Sequence, residues 1–391
     1  MARKILHLDL DAFFCAVEEQ RDAHLRGKAF AVGGSPEGRG VVASCSYPAR
    51  ARGVHSAMPM SQALRLCPEL IIVSPHREDY VRASRDVMAR VRELTPLVEQ
   101  ISIDEAFLDV SDLPDPLERI ARKLQARIRE ELGLPCSLGG ATNKLVAKIA
   151  NDIGKSRAGK GNYPNAITIV PPGEEAAFLA PLPVRALWGV GPKTEEKLHA
   201  LGIHTIGQLA NYPEKELGRL FRQHGWDLTR RARGIDNRPV VSEQGRAKSI
   251  SKETTFVRDV SDARELHKTL KKLAVDVARS LRRKKLLART IKLKLRLSDF
   301  TTLTRQITLA TPTDDESAII DTATTLFDRL WQPGQPVRLI GVGVSNLQEG
   351  LVQLSLWDAQ DDRARRIQEA IDALQARFGP HAIHRGVDEL E

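Results

Sequence analysis

The sequence predicts an α+β protein with several domains, and three observations support this class. The chain has 391 residues, 42% of them hydrophobic, which is enough for several packed cores. Up to residue 170, strand and helix patterns follow one another in mixed order rather than in the regular alternation of a doubly wound fold. After Pro171 and Pro172 the pattern becomes helical, and a further unit of strands and helices begins near residue 249.

The first strand is predicted over residues 4–10, because its side chains alternate as in a half-buried strand. Leu6, Leu8 and Leu10 form one face, and Ile5, His7 and Asp9 form the other. Asp9 ends this strand, and Asp11 opens a helix with acidic side chains in its first turns. A carboxylate at a strand end beside a helix N-terminus is a common place for a site.

The rest of this region completes the α+β pattern. The predicted elements are strands near 29–33 and 40–44, a helix near 60–66, a helix over 77–94, a strand pair around residue 104, a helix from Asp115-Pro116 to Gly133, a strand over 136–139, and a helix from Thr142 or Asn143 to Asp152. The order strand, insertion, helix, hairpin, helix, strand and helix is that of an α+β domain.

The helical region contains a Gly-Val-Gly turn at 189–191, followed by Pro192, which suits the first position of a helix. Lys193 comes next, and apolar side chains continue one helix face to Leu201. This pattern is typical of a helix-hairpin-helix, in which turn amides and a helix N-terminus contact a DNA phosphate. An ordinary turn between two helices fits the same residues.

Residues 234–248 have the composition of a linker, and a third unit follows them. Its predicted elements are a strand over 250–257, a basic helix over 261–285, strands over 289–298 and 302–310, a helix over 314–331 and a strand over 337–344. In the second strand, Ile291, Leu293, Leu295 and Leu297 alternate with Lys292, Lys294 and Arg296. We therefore expect one face to join the core and the basic face to lie along a phosphate backbone.

The positive charge of the chain is concentrated in this third unit. The net charge is +9, and from Arg264 to Arg296 thirteen lysines and arginines accompany only Glu265 and Asp276. Such an excess favours binding to nucleic acid, although a solvated helix face is the simpler alternative. Because no apolar run approaches the ~18 residues of a membrane span and no signal peptide is recognisable, we expect a cytoplasmic protein without a membrane partner. The four cysteines lack metal-ligand spacing and are expected to be reduced thiols.

Two adjacent carboxylates, Asp104 and Glu105, interrupt an apolar run. Such charges are costly to bury unless a cation or partner offsets them, which makes a metal site the first hypothesis. Because neighbouring side chains of a strand point to opposite faces, both can reach one site only if the strand turns or bulges between them. For the pair alone, an acidic hairpin tip is the simpler explanation.

Four short segments occur in an order that is more specific than any one of them. They are Asp9-Leu10-Asp11-Ala12-Phe13-Phe14, Tyr47-Pro48-Ala49-Arg50, Ser102-Ile103-Asp104-Glu105 and Asn143-Lys144-Leu145-Val146-Ala147-Lys148-Ile149-Ala150. Together they resemble the Y-family translesion DNA polymerases of the DNA polymerase IV (DinB) type, over roughly residues 1–345. The resemblance implies a low-fidelity, template-directed DNA polymerase that adds deoxynucleotides to a primer 3′ end during DNA damage tolerance.

The resemblance also implies a right-hand polymerase fold. The implied domains are a palm (1–10 and 76–170), fingers (11–75), a thumb with the helix-hairpin-helix (171–235), a linker (236–248), a βαββαβ little finger (249–346) and a C-terminal tail (347–391). In the tail, Gln353, Leu354, Leu356 and Trp357 resemble a bacterial sliding-clamp-binding peptide, although one more packed strand explains them as well. A helix over 361–378 follows, and the protein is expected to be a monomer associated with the nucleoid.

Phosphoryl transfer to a primer hydroxyl can use two magnesium ions, and magnesium prefers oxygen ligands. By the resemblance, the catalytic carboxylates Asp9, Asp104 and Glu105 hold these ions together with the main-chain carbonyl of Leu10, and Mn²⁺ can substitute. Asp11 matches a family position that is not a direct ligand, and we interpret it as structural.

The resemblance assigns the remaining contacts to nucleotide and DNA. Phe14 would be a steric gate whose ring excludes a 2′-hydroxyl, although a core aromatic explains it from sequence alone. Tyr47 and Arg50, one helical turn apart, can converge on the β and γ phosphates. Ser44 would add a hydroxyl, and Lys155, just past the predicted helix, would add a third phosphate contact. The implied contacts to primer–template DNA are Gly189, Gly191 and Lys193 in the thumb and Lys292, Lys294 and Arg296 in the little finger.

Two other functions share parts of this pattern. A polymerase-like accessory protein would bind DNA and the clamp without synthesis, but such relatives lose the carboxylates, all of which are present here. A two-metal nuclease would use the same ligands, but it would not explain Phe14 or the pair formed by Tyr47 and Arg50.

Overall fold

The computed structural model describes residues 2–158, 161–242 and 245–349, together with positions 370, 374, 377 and 378. The chain divides into two compact units, Met1–Gly245 and Arg246–Glu391. The predicted clamp peptide at 353–357 and most of the predicted tail helix lie outside the described residues. Within the described ranges, no helix is both long and apolar enough to cross a bilayer.

The first unit contains the predicted elements up to residue 157 in the predicted order, and it adds strands at 71–73 and 167–169 that were not predicted. The elements are β1 (Ile5–Leu10), α1 (Phe13–Arg21), β2 (Phe30–Gly33), β3 (Val42–Cys45), α2 (Tyr47–Ala51), α3 (Met60–Leu66), β4 (Ile71–Val73), α4 (Arg77–Leu94), β5 (Val98–Gln100), β6 (Glu105–Asp109), α5 (Leu117–Leu132), β7 (Cys136–Ala141), α6 (Lys144–Arg157), β8 (Ile167–Ile169), α7 (Glu175–Leu179), α8 (Pro192–Ala200), α9 (Ile206–Asn211), α10 (Glu214–Phe221) and α11 (Gln223–Ala232). Local signals explain several ends: Asn143 caps α6 by accepting the Val146 N–H at 3.0 Å, and Gly133 ends α5 in a left-handed conformation.

The main sheet of the first unit has the strand order β5-β6-β1-β7-β8, with β1 in the centre. β1 is antiparallel to both neighbours. Its leucine face packs into a core with residues of α4 and α5, while Ile5 on the other face packs with residues of α6. The prediction of a half-buried strand is therefore wrong, because α6 covers the second face and leaves both Ile5 and His7 fully buried.

Two helices begin or end elsewhere than predicted. α1 begins at Phe13 after Ala12, whose backbone is left-handed (φ 44°), so Asp11 precedes the helix and the first turn has no acidic residue. α6 continues to Arg157 instead of ending at Asp152, so Lys155 belongs to the helix rather than following it. Both differences affect the surroundings of the C-terminal end of β1.

The other parts of the first unit are a small sheet and a helical region. The sheet has the order β3-β2-β4 and its own apolar core. Helices α8, α9 and α11 contribute to a core shared with α6. The first part of the predicted linker is anchored to this region, because Val240 is buried and the Asp236 carboxylate accepts the N–H of Leu145 at 3.1 Å.

The second unit has the predicted βαββαβ order. Its elements are β9 (Ser249–Val260), α12 (Ala263–Arg283), β10 (Leu286–Leu297), β11 (Thr302–Thr313), α13 (Glu316–Leu330) and β12 (Val337–Glu349). The strands form one antiparallel sheet in the order β11-β10-β12-β9. Both helices pack on one face, where Ile291, Leu293 and Leu295 are fully buried. The predicted alternation along β10 is therefore confirmed, and the opposite sheet face carries its basic side chains.

Candidate active site

The three predicted catalytic carboxylates lie at adjoining strand ends. Asp9, near the end of β1, is in register with Glu105, the first residue of β6. Asp104 lies in the turn between β5 and β6, and its carbonyl accepts the N–H of Leu10 at 3.0 Å. The chain thus turns between the adjacent carboxylates, which is the geometry that the sequence required for both to reach one site.

Ser102 builds the turn that presents these carboxylates. Its hydroxyl accepts the backbone N–H groups of Asp104 (3.2 Å) and Glu105 (2.9 Å), and it donates to the Asp104 carboxylate. From α4, the buried Ser84 donates to the carbonyl of Ile103. Sequence reasoning gave neither serine a role, although a serine two residues before an aspartate is a usual turn signal.

Two lysines of α6 are paired with the carboxylates. The Lys155 Nζ lies 2.6 Å from the Asp9 carboxylate, and the Lys148 Nζ lies 3.1 Å from that of Glu105. Burial raises the pKa of Asp9 to about 7 despite Lys155. Burial also favours protonation of Glu105, but the His7 and Lys148 interactions outweigh it and hold the pKa of Glu105 at about 2. Because burial disfavours the ionised form of both carboxylates, each needs a nearby positive charge to stay ionised.

This donor set fits a hard cation such as magnesium. It consists of oxygens only, and the Asp9 and Glu105 side chains are 13% and 24% exposed, so an ion could reach both. Within the ranges that the structure describes, no three acidic, histidine or cysteine side chains already converge as a closed metal cluster. The lysine ammonium groups occupy positions next to the carboxylates that a divalent ion would share or take over.

Asp11 is fully buried behind this site, and its contacts are structural. It accepts the Ser137 hydroxyl at 2.8 Å and the Asn165 N–H at 3.1 Å, and it is 3.1 Å from the Lys155 Nζ. Because these partners come from β7, α6 and the segment before β8, Asp11 fixes the end of β1 against three elements. The geometry agrees with the interpretation of Asp11 as a supporting residue.

His7 is a buried neighbour of Glu105 that sequence reasoning did not select. The Asn151 side-chain amide approaches His7 Nδ1 at 3.0 Å and also faces the Ser137 carbonyl at 3.2 Å. Asn151 is therefore the donor, which leaves the proton of a neutral His7 ring on Nε2. That N–H faces the Glu105 carboxylate at 3.7 Å, beyond ordinary hydrogen-bond distance, but its dipole still favours the ionised carboxylate. Burial is the main reason why the pKa of His7 is lowered, so the ring is neutral.

The predicted phosphate contacts Tyr47 and Arg50 lie together on α2, which Ser46 caps. The Arg50 guanidinium lies 4.8 Å from the centre of the Tyr47 ring and donates to the Cys45 carbonyl at 3.1 Å. Arg50 also lines a cavity of about 310 Å³ with residues 53–56. Ser44 is buried and accepts the Cys15 thiol at 3.6 Å, so its hydroxyl has a neighbour inside the protein.

Phe13 and Phe14 differ in burial. Phe13 is buried in the core, whereas Phe14 is half-buried. The Phe14 ring stacks on that of Tyr80, with centroids 4.3 Å apart and planes 14° apart. The Tyr80 hydroxyl in turn donates to the buried carboxylate of Glu18. Phe14 thus has one supported ring face and part of its surface open.

The predicted DNA contacts of the first unit lie at the start of α8. Gly189 has a φ of 98°, which favours glycine, and Gly191 is the residue before Pro192 at the first helical position. The side chain of Lys193 is exposed. The Val190 N–H is already bonded to the Leu187 carbonyl, and the Thr194 and Glu195 N–H groups are bonded to that of Gly191. A phosphate contact would therefore use other amides of this turn at the N-terminus of α8.

The predicted DNA contacts of the second unit lie on the sheet face away from the helices. Lys292, Lys294 and Arg296 are all half-buried along β10. Lys294 is in register with Gly341 of β12, which is in register with Glu253 of β9. Because Gly341 has no side chain, Lys294 reaches across it to the Glu253 carboxylate at 2.7 Å. This ion pair was not predicted, since it depends on the strand order.

A sheet with carboxylates at adjoining strand ends, followed by a helical region and a βαββαβ unit, defines the class of Y-family polymerases. Family models agree with this class. The impB/mucB/samB family model matches residues 8–152, the IMS family HHH motif matches residues 172–203, and the impB/mucB/samB family C-terminal domain matches residues 247–356.

Known relatives are similar over most of the chain. DNA polymerase IV 1 of Bacillus subtilis (strain 168) is 39% identical, covering 98% of this chain and 93% of the relative. DNA polymerase IV of Listeria monocytogenes serotype 4b (strain F2365) is 42% identical, covering 89% and 96%. A solved Y-family DNA polymerase chimera of Dbh and Dpo4 has a TM-score of 0.78 and 25% identity, covering 89% of this chain and 100% of the chimera. The chain therefore belongs to the DNA polymerase IV (DinB) type of the Y family.

Proposed function

We propose that this protein extends a primer 3′ end on a DNA template by low-fidelity translesion synthesis. The observation that carries the proposal is the alignment of Asp9 with Glu105 at adjoining strand ends, with Asp104 in the turn beside them. These oxygens lie next to the Lys148 and Lys155 ammonium groups. An enzyme that transfers a phosphoryl group needs such a concentration of fixed charge.

Asp9, Asp104, Glu105 and the Leu10 carbonyl would hold two magnesium ions, and manganese would be accepted in their place. When bound, the ions activate the primer oxygen and neutralise the leaving pyrophosphate. Ser102 holds Asp104 and Glu105 in place, because its hydroxyl accepts the backbone N–H groups of both residues. Asp11 keeps the Lys155 ammonium beside Asp9, from where it can turn to a phosphate of the incoming nucleotide.

The nucleotide would lie between these carboxylates and α2. Tyr47 and Arg50 offer a hydroxyl and a forked cation for the triphosphate, and Ser44 of β3 would add a second hydroxyl. Phe14 would select deoxyribose by shape, because its open ring edge would meet a 2′-hydroxyl. Its stacking on Tyr80 prevents the ring from retreating.

The domain roles follow from the same proposal. Residues 1–10 and 76–170 would be the palm, 11–75 the fingers, 171–235 the thumb and 249–346 the little finger. Gly189, Gly191 and Lys193 would contact duplex phosphates in the thumb, and Lys292, Lys294 and Arg296 would do so in the little finger. We further propose a cytoplasmic, nucleoid-associated monomer that binds a sliding clamp through Gln353, Leu354, Leu356 and Trp357.

A primer-extension assay tests the proposal against its two competitors. A labelled primer–template is incubated with the protein, magnesium and the four deoxynucleotides, and Asp104→Asn serves as the control. Stepwise lengthening by the wild-type protein alone supports the polymerase. DNA binding without lengthening would support an accessory protein, and metal-dependent shortening of the primer would support a nuclease.

A further inference from the structure

Tyr163 lies in the segment before β8, and nothing in the proposed chemistry requires it. Its ring nevertheless packs against that of Tyr47, with centroids 5.3 Å apart and planes inclined by 67°. Its hydroxyl donates to the Glu19 carboxylate of α1 at 3.0 Å. The ring of Tyr163 is therefore held from one side by α1 while it contacts α2 on the other.

The Tyr47 ring is confined by two neighbours. The Arg50 guanidinium lies 4.8 Å from its centre, and Tyr163 packs against it in an edge-on arrangement. Only 8% of Tyr47 is exposed. Such cation–π and edge-to-face contacts fix a ring in one rotamer, and the direction of its hydroxyl with it.

The same segment is also tied to the base of the active site. The Asn165 N–H donates to the Asp11 carboxylate at 3.1 Å, and the Ala166 N–H donates to the Ser137 hydroxyl at 3.0 Å. Ser137 and Lys155 are the other partners of Asp11. The backbone beyond Tyr163 is therefore anchored to the network that holds Lys155, while Tyr163 itself contacts Tyr47.

We infer that Tyr163 is a positioning residue for the triphosphate of the incoming nucleotide and that it acts through Tyr47. The inference rests on the proposed function, because it assigns Tyr47 to a phosphate. Tyr163 would hold the Tyr47 ring in place before the nucleotide binds. Nucleotide binding then does not have to offset the conformational entropy lost when this ring is ordered. The triphosphate is common to all four nucleotides, so the effect should not depend on the base. It should also leave primer–template binding unchanged.

Steady-state extension by Tyr163→Ala and Tyr163→Phe tests this role. For Tyr163→Ala we expect the KM for each deoxynucleotide to rise roughly two- to tenfold, which is the value of one aromatic pair. The kcat and the Kd for primer–template should stay within about twofold of wild type. Tyr163→Phe keeps the ring but loses the bond to Glu19, so its KM should rise less. Tyr212→Ala, which removes another partly buried tyrosine, is the matched control and should leave KM unchanged.

A double-mutant cycle with Tyr47→Ala separates positioning from general packing. Once Tyr47 is absent, Tyr163→Ala should raise KM no further, since a positioning residue has lost its target. If Tyr163→Ala is unstable, Tyr163→Leu replaces it in the cycle, because leucine restores much of the volume without an aromatic face. The inference would be overturned if the fold-increases in KM of the two single variants multiply in the double variant. It would also be overturned if a folded Tyr163 variant has an unchanged KM. Either result leaves wild-type extension intact, whereas a wild-type protein that fails to extend would refute the proposed function instead.

Discussion

The two units of the chain place their lysines in different surroundings. In the first unit, Lys144, Lys148 and Lys155 of α6 are 6%, 14% and 20% exposed, and each is paired with a carboxylate at 2.6–3.1 Å. In the second unit, Lys268, Lys271 and Lys272 of α12 are exposed. Among the described residues, none of these three forms an ion pair.

This difference implies two kinds of electrostatic function. Removing one partner of a largely buried ion pair is costly, because the other charge is left unpaired, whereas added salt has little effect on such a pair. Exposed charges each add a small contribution to DNA affinity, and salt screens these contributions. We therefore expect chemistry to depend on individual residues of the first unit, and DNA affinity to depend on groups of residues in the second.

The largest effect is expected from Glu105→Gln in the first unit. Loss of this carboxylate should reduce single-turnover primer extension by about a thousandfold, because transition-state charge is no longer stabilised. The Kd for DNA should change by less than about twofold, since exposed phosphate contacts remain. Glu99→Gln is the matched control, because Glu99 also pairs with a lysine of α6, at 2.7 Å, but is not a proposed ligand. A comparable loss of extension rate in both variants would mean that the rate depends on any ion pair with α6, and not on a metal ligand.

The next effect concerns the second unit. Replacing Lys292, Lys294 and Arg296 together by glutamine should weaken DNA binding and reduce the slope of log affinity against log salt by about two to three. Extension at saturating DNA should persist. The same change at Lys268, Lys271 and Lys272 of α12 should have a smaller effect, because these lysines are exposed but lie on the helix side of the sheet, away from the proposed DNA contacts. Equal losses from both triple variants, measured by fluorescence anisotropy, would contradict the assignment of the sheet face.

Sugar selection should depend on the first unit alone. Phe14→Ala should raise ribonucleotide incorporation relative to deoxynucleotide incorporation by about tenfold or more, because the 2′-hydroxyl no longer meets a ring. The ratio of kcat/KM values measures this. The triple variant of β10 should keep the wild-type ratio. Phe13→Ala should mainly lower stability, by about 3–5 kcal/mol, because it empties a core position. An unchanged ratio in a folded Phe14→Ala variant would return Phe14 to the core.

The smallest effect is a pH dependence of stability that arises from His7. Burial lowers the pKa of His7 from 6.5, so the unfolded chain takes up a proton at a higher pH than the folded one. The contribution of His7 to stability is therefore complete above about pH 6.5 and is lost as the pH falls below it. Urea unfolding of His7→Gln should show a flatter pH slope, by at most about 1.4 kcal/mol per pH unit. His55→Gln, at an exposed position, should keep the wild-type slope.

Local patterns predicted most of the elements and the strand pair around residue 104, because each depends on nearby residues. The burial of His7 could not be predicted, since it depends on α6 covering β1. The bond between Lys294 and Glu253 across Gly341 likewise depends on strand order. Tyr163 gave no signal for the same reason: its partners Tyr47 and Glu19 lie far away in the sequence.

The magnesium dependence of single-turnover extension tests most directly whether Asp104 and Glu105 hold the metal ions. Wild-type protein and Asp104→Asn are each saturated with primer–template, and magnesium is varied from a chelated solution upwards. We predict no wild-type extension with chelator, a saturable rise with magnesium, and for Asp104→Asn either none or a requirement for at least about tenfold more magnesium. Extension in the presence of chelator, or the same magnesium dependence in both proteins, would contradict the claim.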